Sequence, residues 1–392
     1  MSVTSVPGFV ASGVAAGIKG SGAADLAVIA TEDRQPVTVG GIFTQNRLVA
    51  APVAVSKANL ATSKGQAVAV VLNSGNANAS TGADGLADAK IMCAKTAALL
   101  GAPSEQVLVC STGHIGFNLP MKKVSVGITE AVDQLSGDGG EDAAIAMMTT
   151  DTVPKYHSTT QVDSAGAEFT VGGVAKGAAM LEPNMATMLA VITTDARLGS
   201  AQATLMLRQG AGPAFNSLTV DGAQSTNDTV LILANGRAGE VEPSALQRAI
   251  DETLMTLAVK MADDAEGSTK TVFVEVVNAA DPFDANEVAR GIANSQLIKC
   301  SWYGQDPYWG RIASEVGVRA KRFNPETVTI KYGDQTVSSG CLPGKPDTAR
   351  LKEIMAQRRI VLTVDLGQGR ARARVITTDL APGYIDENKG TS

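Results

Sequence analysis

Short apolar runs rich in Val and Ile, set between Ala-rich stretches with helical spacing, limit this chain to a layered architecture of sheets and helices. DLAVIA, QPVTVGGIFT, QAVAVVLN, QVLVCST, EFTVGGVAKG, MLAVITTD, TVLILANG and TVFVEVV have the length and the β-branched content of buried strands. Between them, DGLADAKIMCAKTAALLGAP, QATLMLRQGAGPAFNSL and PSALQRAIDETLMTLAVKMADDA place apolar residues at helical spacing with Gly or Pro punctuation. A mixed α/β (α+β) fold follows. From about residue 325 the texture turns to hairpins. TVTIKYGDQTV reverses at Gly333 and Asp334, and IVLTVDL is expected to pair with ARARVITTDL across GQGR. A smaller C-terminal α/β unit is expected from about residue 285. VITTDA at 191–196 returns as VITTDL at 375–380, but two copies without a fixed period do not make a solenoid.

With 392 residues and 44% hydrophobic content, the chain has enough material for a sizeable core. Its 33 Lys and Arg are outnumbered by 39 Asp and Glu, the net charge is -6, and no basic block occurs. Nucleic acid is therefore not an expected partner. No basic segment followed by a long apolar one opens the sequence, and no run of about 18 apolar residues interrupts it. A soluble, cytoplasmic protein without a membrane partner is expected. Cys93, Cys110, Cys300 and Cys341 lie far apart without a C-x-x-C pair, and His114 and His157 form no pattern with them. Neither a disulfide framework nor a zinc site is indicated, and no metal or prosthetic group is implied. The glycine-rich stretches LNSGNANASTGADG and GIKGSG lack both phosphate-loop patterns and read as structural loops. With two histidines in the chain, chemistry whose base is another group is favoured.

One segment carries more than structure. KGAAMLEPNMATMLAVITTDA, residues 176–196, sets a Pro-Asn turn signal, a small residue and Thr187 ahead of an apolar strand. Taken alone, Thr187 is a β-branched residue opening that strand. The string is similar, however, to the autoproteolysis segment of the ArgJ-type glutamate N-acetyltransferases, also called ornithine acetyltransferases. That segment reads K-G-x-x-M-[hydrophobic]-x-P-x-[ML]-A-T-[ML]-L and is cleaved at its Ala-Thr bond. Lys176, Gly177, Met180, Pro183, Met185, Ala186, Thr187, Met188 and Leu189 all match. The resemblance continues through GIFTQNRLVAAPV, LNSGNANASTG, CSTGHIG, MMTTDTVPK, DGAQSTNDTV, DDAEGSTK and DPYWGRI.

The resemblance implies a layered αββα sandwich of the self-cleaving N-terminal-nucleophile type. It implies an α chain, 1–186, and a β chain, 187–392, assembled as a heterotetramer of two of each. Thr187 would be the nucleophile, with Thr112 and Gly113 as oxyanion hole. Thr150, Lys176, Thr187, Glu266, Asn388 and Ser392 would bind substrate: Lys176 suits a carboxylate and Glu266 an ammonium group. The implied reaction moves acetyl from N-acetylornithine to glutamate in arginine biosynthesis. Whether acetyl-CoA also serves as donor stays open.

The chemistry fits the composition. A threonine hydroxyl needs a base within about 3 Å. Breaking the Ala186-Thr187 bond gives Thr187 an α-amine of reference pKa about 7.7 to 8, which takes that role without histidine. Strain around Pro183 and Asn184 would assist the cut. Three departures from the family pattern stand out: His114 beside the oxyanion pair, Tyr308 in DPYWGR where Asn is usual, and a tail, ENKGTS, one residue short and without its Tyr. Two other readings remain open: an aminopeptidase or amidase of the same self-cleaving architecture, and an uncleaved, noncatalytic relative.

Overall fold

The computed structural model describes residues 2–182 and 188–390. Residues divide into two compact units, Met1–Asn216 with Gln224–Met261, and Ser217–Ala223 with Ala262–Ser392.

The first unit contains strands β1 (Phe9–Val14), β2 (Leu26–Thr31), β3 (Val37–Phe43), β4 (Gln66–Ala67), β5 (Ala69–Asn73), β6 (Val107–Ser111), β7 (Lys155–Val162), β8 (Glu168–Lys176), β9 (Leu189–Ala196) and β10 (Thr229–Gly239). They form a four-stranded sheet, β1-β2-β5-β6, and a six-stranded sheet, β4-β3-β10-β9-β8-β7. Its helices are α1 (Ala51–Thr62), α2 (Gly82–Leu100), α3 (Met121–Asp133), α4 (Gly140–Met147), α5 (Ser200–Ala211) and most of α6 (Pro243–Asp263).

Period-2 side-chain alternation explains why these strands are apolar along their whole length. In β2, Ala27 and Ile29 join Val70 and Leu72 of β5 and Leu108 and Cys110 of β6 in a core shared with Val39, Val174, Val191, Leu231 and Leu233 of the six-stranded sheet. Their neighbours Val28, Ala30, Ala69, Val71, Val107 and Val109 face the other way, onto Met92, Cys93 and Ala97 of α2 and Val124 and Ile128 of α3. Both faces are covered, so alternation of apolar with polar residues is lost. Small residues let the outer helices close on the six-stranded sheet. A Cβ on Gly40 of β3 would meet the Ala203 and Thr204 backbone of α5, and one on Gly173 of β8 would meet Leu257 of α6. The result is an αββα sandwich.

The run QAVAVVLN serves both sheets. Gln66 and Ala67 pair with β3, whereas Ala69–Asn73 pair with β2 and β6, and the Val68 N–H donates to the Gln106 carbonyl at 2.7 Å.

The second unit holds β11 (Thr271–Ala279), β12 (Thr329–Tyr332), β13 (Gln335–Ser339), β14 (Leu342–Pro343), β15 (Arg359–Asp365) and β16 (Ala371–Thr378) in one sheet of order β14-β13-β12-β15-β11-β16. Its helices are α7 (Pro282–Asn294), α8 (Gln296–Tyr303), α9 (Trp309–Arg319), α10 (Thr348–Ala356) and α11 (Pro382–Asn388). The hairpin at Gly333 and Asp334 joins β12 to β13 as the sequence indicates. The expected pairing of IVLTVDL with ARARVITTDL does not occur. β11 lies between them, parallel to β15 and antiparallel to β16. Its core residues Val272, Val274 and Val276 pack under Ala285, Val288 and Ile292 of α7, which makes it the buried centre of the sheet.

Candidate active site

The parallel neighbours β5 and β6 end side by side at Asn73 and Ser111, and the two turns that follow are laced together. Thr112 N–H donates to the Asn73 carbonyl at 3.0 Å, Ala77 N–H to the His114 carbonyl at 2.9 Å and Gly116 N–H to the Ala79 carbonyl at 2.9 Å. The Asn76 side-chain amide reaches the carbonyls of Phe117 and Asn118, both at 3.1 Å. Gly113 sits where the turns approach most closely. Its φ is 129°, and a Cβ would fall 2.3 Å from the Gly75 carbonyl carbon and 2.4 Å from the Asn76 nitrogen. Only glycine fits both demands. Thr112 is half-buried and Gly113 exposed.

Lys176 closes β8 and is 8% exposed. Its ammonium lies 3.9 Å from Oδ2 of Asp151, in the bend between α4 and β7 that also holds Thr150. Asp151 accepts from Lys155 Nζ at 2.6 Å, from the Gly177 N–H at 2.9 Å and from the Thr149 N–H at 3.0 Å. Burial pushes the Asp151 carboxyl up, but Lys176, Lys155 and these bonds outweigh it and hold the group well below the usual carboxylate range. The same charges reach Lys19, whose ammonium is lowered by burial against the pull of Asp25 and Asp151.

Two consecutive residues at the entrance to β10 tie these parts together. Asn227 donates from its side-chain amide to the carbonyls of Ser111 at 2.9 Å and Ala77 at 2.5 Å, immediately ahead of Thr112. Asp228 is 2% exposed, and the Thr229 N–H that follows it donates to the Met188 carbonyl at 3.1 Å. Met188 is the residue after Thr187. Burial holds the Asp228 carboxyl well above its ordinary range, with Lys176 pulling the other way.

In the second unit Glu266 and Asn388 meet: the Asn388 amide donates to Glu266 Oε2 at 2.6 Å. Gly267, at φ 60°, allows this, because a Cβ there would lie 2.1 Å from the Tyr384 nitrogen at the start of α11. Glu266 also lines a cavity of about 150 Å³ with Asp221, Lys299, Asp379 and Tyr384. Ala186, Thr187 and Ser392 lie outside the described residues, as do Pro183 and Asn184, where strain was expected. Met180, three residues ahead of Pro183, takes φ 50°, a left-handed conformation that costs a side-chain-bearing residue about 1 to 2 kcal/mol. Among the described residues no cluster of His, Cys, Asp and Glu is arranged to hold a metal, and no helix is long and apolar enough to cross a membrane.

The ArgJ family model matches residues 10–390. The chain belongs to the ArgJ family. Relatives named arginine biosynthesis bifunctional protein ArgJ include those of Thermobifida fusca, 44% identical over the whole of both chains, and Mycobacterium tuberculosis, 42% identical over all of this chain and 96% of the relative. Among solved structures, ornithine acetyltransferase of M. tuberculosis complexed with ornithine is 44% identical, with a TM-score of 0.44, covering 48% of this chain and 95% of that chain.

For an ArgJ-family chain, two departures now have positions. His114 is half-buried, edge-on to Phe117 at 6.1 Å, and its buried Nε2 is without a partner. Tyr308 is exposed at the N-cap of α9, its ring 6.0 Å from the Arg311 guanidinium. Sequence reasoning passed over Asp151, Asn227 and Asp228, although all three stand in the strings MMTTDTVPK and DGAQSTNDTV. An isolated Asp or Asn next to Thr reads as a turn residue, and only long-range packing distinguishes it.

Proposed function

We propose that this chain cuts itself between Ala186 and Thr187 and carries acetyl from N2-acetyl-L-ornithine to L-glutamate through an acetyl-Thr187 ester. It is an acyltransferase of arginine biosynthesis. The observation that carries the reading is the entrance to β10, where the Asn227 amide holds the carbonyl just before Thr112 and the Thr229 N–H holds the carbonyl of Met188, the residue after Thr187.

In the first event, the Thr187 hydroxyl oxygen attacks the Ala186 carbonyl carbon. The peptide C–N bond breaks, the nitrogen takes the proton, and an ester replaces the amide. Water hydrolyses the ester and leaves Ala186 as a carboxylate and Thr187 with a free amine. That amine then accepts the hydroxyl proton as Thr187 attacks the acetyl carbonyl of the donor. The proton passes to the departing α-amine of ornithine. Glutamate's amine attacks the ester in turn, and Thr187 regains its hydrogen.

Thr112 and Gly113 face the oxyanion of each tetrahedral intermediate, a contribution of about 3 to 4 kcal/mol for a preset donor. Lys176 receives a substrate carboxylate, and Thr150 lines the same turn as its Asp151 anchor. Glu266, with Asn388 and Ser392, takes an ammonium group. The two fragments stay associated, two α with two β, in a cytoplasmic protein. Acetyl-CoA as a second donor would make the chain bifunctional.

Mass spectrometry of the purified protein tests the reading, with fragments 1–186 and 187–392 expected and a whole chain expected from Thr187→Ala. An intact wild-type chain that transfers no acetyl group overturns it. Acetate release without glutamate, as fast as transfer with it, makes the protein an amidase instead.

A further inference from the structure

We propose that Lys19 is the cation that receives the side-chain carboxylate of the acceptor glutamate, an inference that rests on the function proposed above. Donor and acceptor both react at an α-nitrogen, so their α-carboxylates fall in one place, for which Lys176 is the partner. Their side chains differ in charge. Ornithine ends in an ammonium, which Glu266 suits, and glutamate ends in a carboxylate, which calls for a second cation close to the oxyanion turn.

Lys19 lies in GIKGSG, the loop between β1 and β2. A buried carboxylate organises that loop. Asp25 is 0% exposed and accepts the backbone N–H groups of Ala16 at 2.7 Å, Ile18 at 2.5 Å and Lys19 at 2.8 Å. Its carbonyl accepts the Ser74 N–H at 2.9 Å, which ties the loop to the end of β5. From there the contacts lead to the oxyanion turn in two steps. A Cβ on Gly75 would fall 2.9 Å from the Lys19 Cγ, and one on Gly113 would fall 2.3 Å from the Gly75 carbonyl carbon. Gly75 is thus packed against both Lys19 and Gly113.

The Asp25 oxygens are taken by these amides, and the acceptor of the Lys19 ammonium among the described residues is the Ala24 carbonyl, at 2.8 Å. Lys19 is half-buried, with two ammonium hydrogens left for a ligand. Burial lowers its pKa, Asp25 and Asp151 raise it, and Lys176 lowers it. Lys19 and Lys176 therefore lie close enough to repel each other, and a ligand with two carboxylates relieves that repulsion. In glutamate the side-chain carboxylate stands about 5 Å from the attacking amine along an extended chain, which suits a cation separated from Gly113 by the width of Gly75.

Lys19→Met keeps the length of the side chain and removes the charge. In a double-displacement reaction kcat/KM for each substrate reports its own half, so the two substrates separate a specificity role from a structural one. The variant should lose about 30-fold in kcat/KM for glutamate and less than about 3-fold for N-acetylornithine. It should also lose the preference for glutamate over glutamine, which has the same shape and a neutral side chain. Equal losses for donor and acceptor, or an unchanged preference for glutamate, overturn the inference. If the variant does not fold or cleave, labelling of Lys19 by a succinimidyl ester in the cleaved wild type decides, read by mass spectrometry. N-acetylglutamate should slow the labelling and N-acetylglutamine should not; equal rates with both overturn the inference. The two readings fail separately. Wild-type protein that lacks a fragment beginning at Thr187, or passes acetyl to water alone, removes the proposed function. Cleaved protein that acetylates glutamate, with a Lys19→Met variant that treats both substrates alike, removes only the role of Lys19.

Discussion

The Asn227 side-chain amide spans the carbonyls of Ser111 and Ala77, at 2.9 and 2.5 Å, and so closes the two interlocked turns from behind. Its own oxygen accepts from the Thr226 hydroxyl at 2.6 Å, which fixes the orientation of the amide. All of these groups are buried. The strand entrance that meets Met188 thus also sets the position of Thr112.

Asn227→Ala removes both donors and strands two buried carbonyls, a loss of about 2 to 4 kcal/mol. Asn227→Asp should be worse, because it sets a carboxylate against two carbonyl oxygens. Urea denaturation in the uncleavable Thr187→Ala background measures the cost without interference from cleavage. A loss below about 1 kcal/mol for Asn227→Ala would show that the bridge contributes little.

Gly113 and Gly82 separate backbone freedom from close approach. Both have positive φ, 129° and 62°, but a Cβ on Gly82 meets nothing within 4 Å, whereas one on Gly113 strikes the Gly75 and Asn76 backbone. Gly82→Ala should cost about 1 kcal/mol and leave kcat unchanged. Gly113→Ala displaces the turn proposed to hold the oxyanion and should lower kcat by about 100-fold or more while KM changes little. Equal kinetics for the two variants would remove Gly113 from the proposed site.

How much of this was legible in the sequence depends on the range of the forces involved. Runs such as DLAVIA and QVLVCST are apolar on both faces, and that pattern identifies β2 and β6 directly. Periodicity reports a strand's faces but not its neighbours. IVLTVDL and ARARVITTDL, four residues apart, therefore read as a hairpin, although β11 takes the place between them. QAVAVVLN hides a change of sheet at Val68 for the same reason. β1 interrupts its apolar residues with Ala11, Ser12 and Gly13, and α4 carries Gly140, Ala143, Ala144 and Ala146, so the two pack closely. A Cβ on Gly13 of β1 would fall 2.0 Å from the Asp142 carbonyl oxygen of α4. Lys176 and Glu266 were reached through the family pattern alone. The Asp151 carboxylate that anchors Lys176 depends on a contact 25 residues away, beyond the reach of local spacing.

Asp151 should dominate acid sensitivity in the first unit. Its carboxyl is held below the unfolded-state value of about 3.9, so the unfolded chain binds its proton first as pH falls. The stability it contributes is fully present above that value and is lost as pH drops through the lower folded value. Denaturation midpoints of the wild type should therefore fall steeply below about pH 4. Asp151→Asn leaves Lys155 buried with a side chain of 0% exposure and no carboxylate at 2.6 Å, a loss of about 3 to 5 kcal/mol near neutrality. The variant's stability should also vary less between pH 4 and 2. An acid limb of undiminished steepness in Asp151→Asn would assign the sensitivity to another carboxylate.

Lys299 of α8 gives the second unit the opposite signature. Burial lowers its ammonium from 10.5 to about 8, against the pull of Asp221 and Asp379, and its Nζ donates to the Thr377 hydroxyl at 3.0 Å. Between about pH 8 and 10.5 the unfolded chain binds a proton that the folded chain has released, so stability rises with pH across that window. Below pH 8 both states are protonated, and the burial cost is constant. Lys299→Met removes the titration and fills the volume with a flexible apolar chain, at the cost of the attraction that Lys299 exerts on Asp221 and Asp379. Thermal unfolding between pH 7 and 10 should show the second unit of the wild type gaining stability relative to the variant. A parallel pH dependence in the two proteins would mean that Lys299 keeps its proton throughout, and that the two carboxylates outweigh burial.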